Sequence, residues 1–232
     1  MKTFSNPGQK AAWSCFLNVV KQLFGDEKST QIVGSFEKGS AIAVCGDKSV
    51  RFNVKFPSVE VSDDGRLHNG AFGVPAVQKW HSSGHLAFVE RFYYGRRDDS
   101  IDGPAIEGFY PGGSKSLIAH YVAGVETDAL DGSPARCEFY PDGKPRLAEF
   151  KNAGFLHNPM VTEQGSAVPA VQEWDNDGFL IRADHYHAGV LLEGPAAPVA
   201  CAAKDAEDFD LAGPSLSYVS SRERSQRLGL AA

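Results

Sequence analysis

A unit that recurs four times limits what this chain of 232 residues can fold into more than any other feature does. Each copy opens with a Pro-Ala pair, and the four prolines are Pro75, Pro104, Pro134 and Pro169. An aromatic residue lies five residues after each proline, a glycine nine after it, and a second glycine twenty after it. The prolines are 29, 30 and 35 residues apart. A period in this range is typical of a repeat array, in which each unit packs on its neighbours.

Each copy is predicted to form a β-hairpin. In the third copy, residues 134–140 and 145–150 would be the two strands, joined by a turn at Pro141-Asp142-Gly143. This tripeptide suits a turn, because proline presets φ and glycine accepts a positive φ. A lone hairpin is barely stable in water, so the copies are expected to stack with large rings packed between them. These structural rings lie five and seventeen residues after each proline, with Phe150 one residue early: Trp80, Phe92, Phe109, Tyr121, Phe139, Phe150, Trp174 and Tyr186.

Residues 1–62 lie outside the repeat and are predicted to form a cap. Apolar residues recur at helical spacing between residues 6 and 24, with Asn6 as N-cap and Pro7 at the first helical position. Three strands of a β-meander should follow, and they are residues 31–36, 40–45 and 49–56. We expect the apolar face of the helix to pack on this meander, because amphipathic helices commonly face a protein core.

These patterns predict a mainly β chain in three parts. Residues 1–62 form an N-terminal α+β cap, and residues 63–196 form an array of stacked antiparallel β-hairpins in an elongated, twisted sheet. Residues 197–232 form a C-terminal cap or tail, in which residues 215–219 are expected to add a last strand. Unpaired strands at the edges of such a sheet leave open a homodimer formed by edge pairing.

Charge is unevenly distributed and limits the kind of partner. The net charge is −6; residues 1–62 carry 8 basic and 5 acidic groups, whereas residues 63–196 carry 11 basic and 19 acidic groups. An acidic array is not expected to bind nucleic acid directly, because neutralising phosphates needs Lys and Arg. Another protein, with a basic surface, is the partner that this charge favours.

Cysteine spacing and apolar patterning favour a cytoplasmic protein without membrane attachment. The four cysteines are far apart and form no CxxC motif, which favours reduced thiols. The first residues lack the pattern of a signal peptide, and no apolar run approaches the roughly 20 residues of a membrane span.

Short motifs within the copies point to a known kind of repeat. They are the openings Gly103-Pro104-Ala105 and Gly194-Pro195-Ala196, the core Phe139–Gly143, and the closings Tyr121–Gly124 and Tyr186–Gly189. With these motifs, residues 65–196 resemble the MORN-type repeats of bacterial and phage proteins, which include a family of antitoxins. The resemblance implies stacked hairpins and a binding function, toward proteins or sometimes lipids, rather than one chemistry.

The sequence contains the repeat pattern but no recognisable catalytic motif, so neither an enzyme nor a cofactor is predicted. The chain has no GxSxG sequence, and its glycine-rich segments lie at turns where glycine already has a structural reason. His185 and His187 are two apart on a predicted strand and are weak candidates for metal ligands, with His120 or His157 as a third. The alternative is that these histidines form hydrogen bonds on the face of the strand.

The links between copies are the candidate binding surface, because loops on a rigid scaffold often carry recognition residues. The candidates are Arg96, Arg97, Asp98, Asp99, Glu126, Asp128, Asp131, His157 and Asn158. The leading hypothesis is a module that binds another protein and inhibits or neutralises it, as an antitoxin or anti-defence factor would. Two alternatives are open. One is a module held on anionic lipid by residues 6–24; the other binds a metal or, through exposed Trp80 or Trp174, a carbohydrate.

Overall fold

A computed structural model describes residues 4–25, 30–158 and 168–192. These residues form one α-helix, one 3₁₀ turn and 21 β-strands, so the predicted array of antiparallel β-hairpins behind an N-terminal helix is confirmed. The chain divides into two compact units, Met1–Ser114 and Lys115–Ala232. The predicted C-terminal part, 197–232, and its strand at 215–219 lie outside the described residues. The boundaries predicted at 62/63 and 196/197 stay predictions.

The first unit contains the helix and ten strands. The helix α1 is Pro7–Phe24, and the 3₁₀ turn is Phe36–Lys38. The strands are β1 Gln31–Ser35, β2 Ser40–Cys45, β3 Lys48–Asn53, β4 Ser58–Asp63, β5 Arg66–Leu67, β6 Val77–Trp80, β7 Leu86–Glu90, β8 Phe92–Tyr93, β9 Arg96–Arg97 and β10 Ile106–Phe109. Seven of them form an antiparallel sheet in the order β1-β2-β3-β4-β6-β7-β10. Strand β5 pairs with β4, and β8 pairs with β9.

Helix α1 begins and packs as the sequence predicts. The side chain of Asn6 accepts a hydrogen bond from the Gln9 amide at 3.0 Å, which satisfies one of the free N–H groups of the first turn. The apolar face of the helix lies on the sheet, where Phe16 and Phe52 are fully buried with ring centroids 6.0 Å apart. Trp13 meets Phe52 edge-on at 5.0 Å. The core of this unit therefore lies between α1 and strands β2, β3 and β4.

The third strand ends earlier than predicted. Strand β3 ends at Asn53 because the side-chain oxygen of Asn53 accepts hydrogen bonds from the amides of Lys55 and Phe56, which turns the chain. Phe56, the last residue of the predicted strand, lies beyond β3 and is 69% exposed. An additional strand follows at once, since β4 pairs with β3 on one side and with β6 on the other. The meander thus continues directly into the first copy of the repeat.

The second unit contains eleven strands. They are β11 Lys115–Ala119, β12 Tyr121–Val122, β13 Val125–Glu126, β14 Arg136–Phe139, β15 Pro145–Glu149, β16 Lys151–Asn152, β17 Phe155–Leu156, β18 Val171–Trp174, β19 Leu180–Asp184, β20 Tyr186–His187 and β21 Val190–Leu191. Five of them form an antiparallel sheet in the order β11-β14-β15-β18-β19. The others form the two-stranded pairs β12-β13, β16-β17 and β20-β21.

The long hairpins have the predicted strands and turns. In the third copy, the amide of Tyr140 donates to the carbonyl of Lys144, and the amide of Gly143 donates back to the carbonyl of Tyr140 at 2.9 Å. The same two bonds close the turns of the other three copies. Each of the pairs β6-β7, β14-β15 and β18-β19 has a register shift beside its first aromatic residue. None of the eight predicted structural rings is exposed, and Phe150 is buried.

Candidate functional site

Each copy contains a second, short hairpin where the sequence predicted only a link. In the four copies these are β8-β9, β12-β13, β16-β17 and β20-β21, and a fifth short hairpin, β4-β5, precedes the first copy. Their turn residues are Asp64-Gly65, Tyr94-Gly95, Ala123-Gly124, Ala153-Gly154 and Ala188-Gly189. All ten have positive φ, between 44° and 89°. Positive φ at both central residues is typical of the type I′ turn, whose twist matches that of the strands it joins.

The second glycine of the repeat is needed for space as well as for φ. A Cβ on Gly154 would lie 3.3 Å from the side chain of Val125, and a Cβ on Gly189 would lie 3.2 Å from Phe155. Val125 and Phe155 each lie one residue after the corresponding glycine of the preceding copy. The side chain after one turn therefore covers the turn of the next copy, and this contact stacks the short hairpins in register.

An Asn or Asp side chain ties each copy to the next. We call these four the bracket residues, and they are Asn69, Asp99, Asp128 and Asn158. The Oδ1 atom of Asn69 accepts hydrogen bonds from the amides of Ala76 at 3.1 Å and Phe92 at 3.0 Å. Ala76 follows the proline that opens the next copy, and Phe92 opens its short hairpin. One side chain thus satisfies two backbone donors that have no partner in a strand ladder.

The other bracket residues repeat these contacts. Asp128 accepts from the amides of Ala135 at 2.9 Å and Lys151 at 2.7 Å. Asp99 accepts from the amide of Ala105, and Asn158 accepts from the amide of Tyr186. All four side chains thus accept from a backbone amide, and at Asn69 and Asp128 two amides converge on one oxygen.

The backbone contacts correct the predicted alignment of one aromatic residue. The amides of Arg91, His120 and Phe150 each donate to the carbonyl of the alanine in the next Pro-Ala pair, so these three residues are equivalent. Phe150 is therefore the counterpart of Arg91 and not of Phe92, and its ring is buried. Lys151 is the counterpart of Phe92, because it opens the short hairpin of the third copy.

Most predicted link residues have partners within the chain. Arg97 pairs with Glu90 at 2.9 Å, and Glu126 pairs with Lys151 at 2.7 Å. Asp98 is 2% exposed. The bracket residues Asp99, Asp128 and Asn158 hold backbone amides, and the His157 ring accepts from the amide of Ala188 at 3.4 Å. Asp131 is exposed and accepts from the amide of Ser133 at 2.9 Å. Arg96 is the exposed candidate that remains, and the binding role of the whole set stays a prediction.

An exposed group of rings lies on the β8-β9 hairpin. Tyr93 is 50% exposed and Tyr94 is 44% exposed, with their ring centroids 4.9 Å apart. His68 stacks on Tyr94 at 4.3 Å, and its Nδ1 accepts a hydrogen bond from the Tyr94 amide at 3.2 Å. Burial lowers the pKa of His68, which favours the neutral ring that this acceptor requires. Exposed Arg66 and Arg96 flank the rings, and we call these five residues the tyrosine patch.

Tyr94 has a left-handed backbone conformation, and the turn forms in other copies with a much smaller side chain at this position. Its φ is 44°, a left-handed conformation that costs roughly 1–2 kcal/mol for a residue with a Cβ. Three other copies place alanine at this position, so the hairpin closes without a large side chain. Because alanine bears the same φ in those copies, the conformational cost belongs to the turn, and the ring of Tyr94 is an exposed addition to it.

The candidate metal ligands and the thiols have other surroundings. His185 contacts the side-chain amide of Asn158 at 3.0 Å, and His187 lies 5.0 Å from the ring of His157. Within residues 4–25, 30–158 and 168–192, no three His, Cys, Asp or Glu side chains are arranged to hold a metal ion. Burial raises the pKa of Cys15 to about 11 and that of Cys137 to about 12, so both thiols are protonated at neutral pH.

Asp128 is expected to make the stability of the array depend on pH. Burial raises its pKa to about 6 from 3.8, against the hydrogen bonds from Lys151 and Ala135, which lower it. Because the folded pKa exceeds the unfolded one, this group destabilises the fold progressively as pH rises from about 4 to 6. The change D128N keeps the oxygen acceptor, as Asn158 does in the next copy. We expect D128N to raise the melting temperature at pH 7 and to flatten its decline over that window.

The control for this measurement is D131N, in the same link. Burial raises the pKa of Asp131, but hydrogen bonds from Ser133 outweigh it and leave the pKa below its usual value. D131N should therefore lower the melting temperature slightly at pH 7. If D128N and D131N lowered the melting temperature by the same amount at every pH, the buried carboxylate of Asp128 would not be the cause of the pH dependence.

Comparison with known proteins gives limited similarity. The chain is 24% identical over 199 residues to argininosuccinate synthase of Hyphomonas neptunium. The aligned part is 85% of this chain and 41% of that enzyme, so the chain spans less than half the length of the relative it matches. No model of a known protein family matches the chain, and its resemblance to MORN-type repeats stays a prediction.

Proposed function

We propose that this chain is a protein-interaction module that contacts its partner through the tyrosine patch. The observation that carries the proposal is the exposed, edge-to-face pair of Tyr93, at the end of β8, and Tyr94, in the type I′ turn that follows. Tyrosine and arginine are enriched among residues that dominate binding energy, because each offers a large contact area and a polar end. The patch rests on hydrogen-bonded hairpins, so its rings are held in place before the partner arrives.

Inhibition of the partner is part of the proposal and rests on the resemblance to antitoxin-type repeats. A cytoplasmic location and the absence of catalysis also belong to it.

The lipid alternative is less favoured, because the apolar face of α1 is buried against the sheet. No helix in the described parts of the chain combines the length and apolar character that crossing a membrane requires. The carbohydrate alternative needs exposed indoles, whereas Trp80 and Trp174 are half-buried.

The proposal is tested by giving the patch the sequence of another copy. The double change Y93N/Y94A installs the Asn152-Ala153 pair of the third copy in the β8-β9 hairpin. We expect the variant to keep the native melting temperature, because the chain already forms this turn with those residues. Its affinity for the partner should fall about tenfold or more, which corresponds to roughly 1.4 kcal/mol or above.

The measurement begins with quantitative pull-downs from host lysate and ends with calorimetry on the purified partner. The control is F179H, which removes a 54%-exposed ring outside the patch and installs the residue that the first copy has there, His85. A partner bound equally by the native chain, Y93N/Y94A and F179H would show that the patch is not the contact surface. If the native chain retains no stoichiometric protein, the proposal fails altogether.

A further inference from the structure

Two arginines of the tyrosine patch occupy the same position in successive short hairpins. Arg66 opens β5 and Arg96 opens β9, each directly after the glycine of a type I′ turn. The Cβ of Arg66 lies 3.8 Å from where a Cβ on Gly95 would be, and Gly95 also donates its amide to the carbonyl of Leu67. The two hairpins are thus in direct contact, and the arginines are neighbours on one exposed edge.

The side chains of these two arginines are not needed for ion pairs within the described parts of the chain. Among the described residues neither Arg66 nor Arg96 forms an ion pair, whereas Arg91 pairs with Glu107 and Arg97 pairs with Glu90. The equivalent position carries Val125, Phe155 and Val190 in the other copies, so stacking of the hairpins does not require a cation. Two like charges on adjoining hairpins repel each other, and an anionic ligand that pairs with both would offset that repulsion.

Nearby acidic groups offset the arginines only in part. Asp63 lies opposite Arg66 across β4 and β5, and it also lies opposite Lys48 across β3 and β4. Asp64 is at the tip of the turn and is exposed. Tyr93 lies opposite Arg96 across β8 and β9, and the ring of Tyr94 is next to that of Tyr93. The patch therefore presents two unpaired cations beside an aromatic surface.

We propose that the tyrosine patch binds an extended acidic segment of the partner protein. Carboxylates of that segment pair with the Arg66 and Arg96 side chains, whose planar guanidinium groups match a carboxylate with two parallel hydrogen bonds. Tyr93 and Tyr94 pack against the stems of the same segment. This inference rests on the proposed function and names its partner chemistry. It differs from the basic partner that the net charge of the array predicts, because local unpaired groups decide a contact, whereas net charge mainly steers the approach.

The test uses labelled octapeptides of alternating glutamate and serine, with matched peptides that carry glutamine or lysine in place of glutamate. We expect the full chain to bind the glutamate peptide at least about tenfold more tightly than the glutamine peptide, as measured by fluorescence anisotropy at low salt. R66V/R96V should abolish this preference, and its valines match Val125 and Val190 at the equivalent position. The control R51V/K55V removes two exposed cations elsewhere in the first unit, and it should keep the preference.

Two outcomes of the peptide measurement would overturn the inference. One is no preference for the glutamate peptide, or a preference for the lysine peptide. The other is equal loss in R66V/R96V and R51V/K55V, which would mean that only net charge matters. Failure of the proposed function has a different signature, since Y93N/Y94A would then leave partner binding unchanged. If Y93N/Y94A loses the partner while R66V/R96V keeps it, the interaction site stands and the acidic segment is wrong.

Discussion

Replacing Asn69 with alanine is expected to lower the free energy of unfolding by about 2–4 kcal/mol. The Asn69 oxygen is the acceptor for the amides of Ala76 and Phe92, and N69A leaves both without it. Each backbone N–H left unpaired away from water costs about 1–3 kcal/mol. Ala76 is fully buried, which makes its amide difficult for water to reach. The loss also weakens the contact between the first copy and the strands that precede it.

The measurement is chemical denaturation of N69A beside N69D. Aspartate occupies the equivalent position in Asp99 and Asp128, so N69D keeps the acceptor. At about pH 5, below the raised pKa of about 6 that Asp128 has, N69D should lose less stability than N69A. If the free energy of unfolding of N69A depends less steeply on denaturant concentration than that of the native chain, the array has begun to unfold in parts. Equal stability of N69A and the native chain would show that the bracket residue Asn69 does not stabilise the fold.

Replacing Gly8 with alanine is expected to destabilise the first unit by about 1–3 kcal/mol, the cost of overpacking a close contact. A Cβ at this position would overlap the carbonyl oxygen of His81 and lie 2.9 Å from its carbon, which are backbone atoms of the turn between β6 and β7. The helix would have to move away from that turn, where the amide of Gly8 also donates to the carbonyl of Ser82 at 3.4 Å. Alanine is the better helix former by about 1 kcal/mol, so in an undocked helix the sign would be reversed.

The matched control is G112A, in the turn of the second copy. A Cβ there meets no atom within 4 Å, and the φ of Gly112 is not positive. Its effect on the free energy of unfolding should stay within about 0.5 kcal/mol, as for most surface changes. Thermal and denaturant unfolding of both variants would measure the difference. A more stable G8A would show that α1 is not docked on the β6-β7 turn in solution.

The sequence by itself determined the features that depend on neighbouring residues. Asn6 and Pro7 start the helix, and Pro141-Asp142-Gly143 turns the long hairpin, because capping and turn formation involve residues only a few positions apart. The period of the copies likewise predicted the array of hairpins, since a single hairpin must pack on its neighbours to be stable. In the candidate site, sequence reasoning identified the links and included Arg96 among the binding residues.

Only the tertiary structure decided what the links do. The bracket at Asn69 joins an oxygen to amides 7 and 23 residues away, and no local pattern encodes such a distance. Those contacts showed that Phe150 aligns with Arg91 rather than with Phe92, although its ring suggested otherwise. They also turn the predicted link into a second hairpin, which brings His68 onto Tyr94 and exposes the tyrosine pair. The charges of Arg97 and Arg96 look alike in the sequence, but the fold gives Glu90 to the first and leaves the second to solvent, because ion pairs depend on which strands meet.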